Sequence, residues 1–75
     1  MSHTAVLLLD RALRYRQQAT KARRLAHGIS SEDVARNLVG LAHALERKAM
    51  RAERAAAVVQ VREQQNDGER QLAAD

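Results

Sequence analysis

From Ala5 onward, small and large apolar residues return at alternating steps of three and four: Ala5, Leu8, Ala12, Tyr15, Ala19, Ala22, Ala26. The same beat resumes as Ala35, Leu38, Ala42, Leu45, Ala49, Ala52, Ala56, Val59. Such spacing has the heptad period of a coiled-coil seam and fits no β-strand. Two seams separated by a few residues in a 75-residue chain bury their apolar edges most directly against each other. The fold class expected is therefore all-α: an antiparallel two-helix hairpin, with helix 1 over about 4–27 and helix 2 over about 31–65. Dimerisation into a four-helix bundle completes the expectation.

The turn is written into the residues between the seams. Ser2 and Thr4 are candidate N-caps for helix 1. Gly28 suits a left-handed residue that ends it, and Arg23, Arg24 and His27 occupy the last turn, where the helix dipole favours cations. Ser30 then caps helix 2 with Asp33 at capping-box spacing, and Ile29 and Val34 form a hydrophobic staple. Glu32 and Asp33 add negative charge to the first turn. Apart from Gly40, helix 2 meets no breaker until Asn66-Asp67-Gly68. Residues 1–65 are thus read as the hairpin and 66–75 as a flexible C-terminal tail.

Volume suggests a register. Placing Ala22 against Ala35, Ala19 against Leu38, Tyr15 against Ala42, Ala12 against Leu45 and Leu8 against Ala49 sets large against small in the four interior layers. Arg16 then faces Glu46. Ala5 meets about Ala52, so helix 2 projects beyond helix 1 by roughly ten residues, or ~15 Å. That projection carries Ala55, Ala56, Ala57, Val58, Val59 and Val61. Together with Val6, Leu9, Leu13, Val39 and Met50, the valines Val58, Val59 and Val61 form the expected association surface, since a two-helix contact cannot cover them all.

Composition narrows the chemistry. Hydrophobic residues make up 45% with alanine the largest part, there is no proline or cysteine, and Tyr15 is the sole aromatic. Alanine forms helix well and fills a core poorly. A chain this short is marginal without a staple; with disulfides excluded, a second copy or a larger protein partner is the remaining one. No stretch approaches the ~20 apolar residues of a membrane span, and a cytoplasmic, membrane-free protein is expected. The net charge of +4, from 13 Lys+Arg against 9 Asp+Glu, permits nucleic acid, anionic lipid or an acidic protein as partner without choosing among them.

The basic residues test that choice. Arg11, Arg14, Arg16, Lys21, Arg23 and Arg24 fall at four different heptad positions, which reads as a solvated face with ion pairs rather than a phosphate-tracking stripe. Helix 2 mixes signs around Arg47, Lys48, Arg51 and Arg54. If an anionic partner is bound, the candidates for it are Arg14, Lys21, Arg24, Arg47, Arg51 and Arg54. No aromatic platform, glycine-rich loop or recognition-helix pattern supports nucleic acid. His3, His27 and His43 lack metal-ligand spacing. The serines serve as caps with no base spaced to activate them, and Tyr15 fills a core layer. No catalytic residue, metal, cofactor or small-molecule substrate is expected, and the chain is not read as an enzyme.

Tyr15-Arg16, Ala19, Arg23 and Ala26 have the form Y-R-x-x-A-x-x-x-R-x-x-A, and after the turn Leu38 to Ala49 reads L-x-x-L-A-x-x-L-E-R-x-A. Over about residues 12–54 this resembles the helical-hairpin segments of small uncharacterised alphaproteobacterial proteins, many of which place an aromatic where Leu45 stands. The resemblance implies a hairpin and a bacterial cytosolic setting, and no site. A small protein–protein interaction or adaptor/regulatory protein is the function expected. A basic nucleic-acid-associated protein and an accessory subunit of a larger complex are the alternatives.

Overall fold

The computed structural model describes residues 2–74, with side chains described through Gly68. It contains two α-helices, α1 over His3–Gly28 and α2 over Glu32–Ala74. They pack against each other as an antiparallel hairpin with extents of 68 × 14 × 11 Å. The expected all-α hairpin is the observed architecture.

The N-terminus of α1 is capped by Ser2, whose hydroxyl accepts from the Ala5 N–H at 3.1 Å. The turn differs from expectation in its details. Gly28 is the last residue of α1, and no described residue, glycine included, has positive φ. Chain reversal is instead carried by the connection Ile29–Ser31, which begins with Ile29 in an extended conformation (φ −97°, ψ 132°). Extended backbone there removes the need for a left-handed residue.

The cap of α2 is Ser31, which accepts from the Val34 N–H at 3.4 Å, rather than Ser30. That one-residue shift dissolves the capping box and the staple. Asp33 becomes the second helical residue and lies 3.9 Å from Arg36, while Ile29 and Val34 stay exposed. At the far end, α2 passes through Asn66-Asp67-Gly68 without a break and continues to Ala74. The expected end near Gln65 is thus overrun: a lone glycine costs a helix only ~1 kcal/mol relative to alanine. Asp75, the last residue of the expected tail, lies outside the described residues.

The seam is made of alanine. Ala5, Ala12 and Ala19 on α1, and Ala42, Ala49 and Ala56 on α2, are at most 3% exposed. Each set repeats every seven residues. Methyl groups on both sides let the backbones approach, and the larger seam residues sit at the edges of the contact. Two clusters result: Ala19, Ala22, Ala42 and Leu45, then Ala12, Ala49 and Ala52, with half-buried Tyr15 packed against both.

This is not the register expected from large-against-small layering. Ala12 clusters with Ala49 and Ala52 instead of Leu45, and Ala22 with Ala42 instead of Ala35. Arg16 bonds Glu53, one heptad beyond Glu46. Ser2 lines a cleft with Gln60, Glu63, Gln64 and Asp67. The helices therefore overlap by about one heptad more than expected, and residues 52–61 lie beside the start of α1 rather than projecting past it. The deeper setting lays α2 along the whole of α1, and large residues still meet small ones there, Leu45 with Ala19 and Ala22 and Tyr15 with Ala12 and Ala49.

Candidate functional site

Heptad letters describe the two sides of the hairpin, with Ala5 and Ala35 at position a. Positions b and e of both helices line one flank, and positions c and g the other. Their grooves are distinct: Arg16, Thr20, Arg23 and Glu46 border the first, and Gln18, Lys21, Leu25, Leu38, Leu41 and Leu45 the second.

The first flank is tied across the seam by ion pairs. The Arg16 guanidinium donates to both Glu53 carboxylate oxygens, at 2.6 and 3.1 Å. Arg23 donates through Nε (3.1 Å) and Nη2 to Glu46 Oε1. Hydrogen bonding by Arg23 holds the Glu46 carboxyl below its ordinary range, and Arg16 does the same to Glu53. The Arg16 guanidinium is pushed up in turn, chiefly by its hydrogen bond to Glu53. Through residue 60 this flank holds three arginines (Arg16, Arg23, Arg36) and three glutamates (Glu32, Glu46, Glu53). Its formal charge is balanced.

Beside those pairs lie Val6, Leu13 and Met50, each 44–55% exposed, and half-buried Leu9 and Val39. They are the b and e members of the expected association surface. The remaining members separate from them. Val59 is half-buried near the seam, whereas Val58 and Val61 are exposed and line a groove of about 360 Å³ on α2 with Ala57, Arg62 and Gln65. The expected single patch is thus divided, because the deeper overlap sets the valines alongside α1.

The second flank has the opposite character. Its c and g positions from Thr4 to Leu25 and from Val34 to Arg62 contain Arg11, Arg14, Lys21, Lys48, Arg51 and Arg62 and no acidic residue. All six are exposed. Among the described residues, only Arg14 has an acidic partner, Asp10 at 3.1 Å. Lys48 Nζ lies 5.9 Å from the centroid of the Tyr15 ring, a cation–π distance. At the turn end the flank continues into a leucine groove of about 300 Å³, which Lys21 borders.

The candidate anionic-partner residues are therefore only partly assembled. Arg14, Lys21 and Arg51 share the second flank, while Arg24, Arg47 and Arg54 occupy outward-facing f positions. Reading each helix alone hid the segregation: the cations of α1 scatter around its axis, and only pairing with α2 shows one flank neutral and the other basic. Leu25 and Leu41 were missed for the same reason. Both are off-seam g residues, 57% and 51% exposed, and the signal that could find them is their shared g position.

Among the described residues no group of three or more His, Cys, Asp or Glu side chains is placed to hold a metal ion, and none of their helices is long and apolar enough to cross a membrane. Buried side-chain polar atoms without a partner are also absent among them. No family model, curated protein or solved structure matches the chain.

Proposed function

We propose that this chain is a small, non-catalytic protein–protein interaction module, an adaptor that works as a homodimer in the bacterial cytoplasm. The observation that carries this reading is a thin core beside a neutral, apolar flank. Every buried core residue is alanine except Leu45, so the hairpin covers little apolar surface by itself. Its accessible surface is 5985 Å², against about 4,600 Å² for a compact monomer of 8.4 kDa. The difference, about 1,400 Å² per chain, is more than the ~800 Å² that each partner buries in a standard interface.

A second copy fits the b/e flank. Val6, Leu9, Leu13 and Met50 offer apolar contact, and the arginines and glutamates beside them are already paired within one hairpin, so two such flanks meet without unmatched charge. Sedimentation velocity over a hundredfold concentration range tests this. A shift from monomer to dimer is expected, and a stably folded chain that remains monomeric throughout would overturn it. Leu13→Glu should abolish the shift while circular dichroism retains the helical signal.

A further inference from the structure

The c/g flank is unsuited to a second copy, because facing it with itself would set six cations against six. A phosphate backbone or an anionic surface would satisfy the charges. A phosphate backbone has no use for the other half of the flank, the groove walled by Leu25, Leu38, Leu41 and Leu45, and a bilayer surface does not reach its inner walls, half-buried Leu38 and buried Leu45. We propose that this flank takes up one acidic amphipathic helix of a different protein, which lays a leucine-type stripe into the groove and acidic residues against Arg11, Lys21, Lys48 and Arg62.

The geometry is that of helix-in-groove recognition. On α2 the g positions read Leu41, Lys48, Ala55, Arg62, so the cations lie fourteen residues apart, or ~21 Å at 1.5 Å per residue. A partner helix with a heptad stripe and acidic flanking positions meets that spacing directly. From the Leu25–Leu41 end to the Leu7–Val58 end the flank is about 20 residues long, or ~30 Å, enough to seat one helix of that length. Lys21 borders the groove and Lys48 lies one heptad beyond Leu41 on the same flank; neither has an acidic partner among the described residues, so a carboxylate arriving there displaces no existing ion pair. The proposal goes beyond homodimer formation, because it uses the opposite flank and leaves the b/e flank free for the second copy.

The test uses the full chain and a labelled 21-residue synthetic helix with leucine at its a and d positions and glutamate at e and g. Binding is followed by fluorescence anisotropy at 50 and 300 mM salt. Saturable binding is expected, at least tenfold tighter than for the same peptide with lysine in place of glutamate. Leu41→Asp should weaken it at least tenfold. The exposed double variant Lys21→Glu/Lys48→Glu should narrow the preference for the glutamate peptide at least threefold, and an undiminished preference would overturn the proposal. Amide shifts on binding should be confined to the c and g positions and to the groove leucines Leu38 and Leu45. Equal binding of both peptides, shifts on the b/e flank, or tighter binding of a 20-base-pair DNA duplex or of phosphatidylglycerol vesicles at equal salt would each overturn the proposal. Leu13→Glu separates the two ideas: it should dissolve the homodimer and leave peptide affinity unchanged.

Discussion

Substituting Ala49 by leucine tests the alanine seam most directly. Ala49 is fully buried against Ala12 and Ala52, and both helices present methyl groups at this level. Leucine adds three carbon atoms at a position with no exposed surface. Overpacking a filled core costs ~1–3 kcal/mol. The upper half of that range applies here, because forcing the helices apart at one layer also uncovers the alanines above and below it. Native domains hold roughly 0.05–0.15 kcal/mol per residue, or about 4–11 kcal/mol for this chain. A loss of ~2–3 kcal/mol is a large share of that. In a domain of this size it lowers Tm by roughly 10–20 °C. Ala55→Leu is the control: the chemical change is the same, the position is exposed, and leucine nearly equals alanine in helix propensity. Thermal unfolding of both variants by circular dichroism at one protein concentration reads the difference. If Ala49→Leu melts within about 2 °C of the control, the seam has room to spare, and close alanine packing does not set the register.

Four further outcomes are expected. Arg16→Glu should lower Tm, Arg16→Glu/Glu53→Arg should restore it, and Arg16→Glu/Glu46→Arg should not; rescue by the last would return the register to the shallower overlap. Gly28→Ala and Gly40→Ala should each stabilise by up to ~1 kcal/mol in urea unfolding, because an added Cβ meets nothing within 4 Å and neither glycine has positive φ; destabilisation at Gly28 would show that it is left-handed after all. Ser31→Ala should cost ~0.5–1 kcal/mol in the same assay and Ser30→Ala much less, the reverse order placing the cap one residue earlier. Because Glu46 and Glu53 are held below the ordinary carboxyl range, the unfolded chain binds more protons near pH 4. The stability they contribute is present above the unfolded value of about 4.3 and is lost as pH falls through the lowered values. Urea midpoints from pH 7 to pH 3 should show that slope, reduced in Arg16→Ala/Arg23→Ala; an unchanged slope in that variant would remove the pairs as its cause.

The legible and illegible parts of this chain divide by the range of the forces that set them. Helix existence and approximate ends rest on local signals, and Ser2, the break after His27 and the restart near Glu32 could be read from neighbours alone. Register could not, because a seam that repeats every seven residues maps onto itself when slid by seven. Only the energy of whole layers separates the two settings. Volumes alone favour Leu45 opposite Ala12, whereas Ala12 clusters with Ala49 and Ala52, and Leu45 with Ala19 and Ala22. The same seven-residue difference sets Arg16 at Glu53 instead of Glu46, and Val58 and Val59 beside α1 instead of on an overhang. The basic flank was hidden for a related reason, since Lys21 and Lys48 become neighbours of one surface only after the helices are paired.

A core of eight alanines and one leucine also fixes how the molecule responds to heat. Unfolding bares methyl groups rather than large side chains, so the heat-capacity increment should fall below the ~12–15 cal/mol/K per residue of ordinary domains. A small increment flattens the stability curve. Cooling would then gain this hairpin little and warming would erode it gradually. The folded fraction would follow the concentration of whatever covers its flanks more closely than it follows temperature.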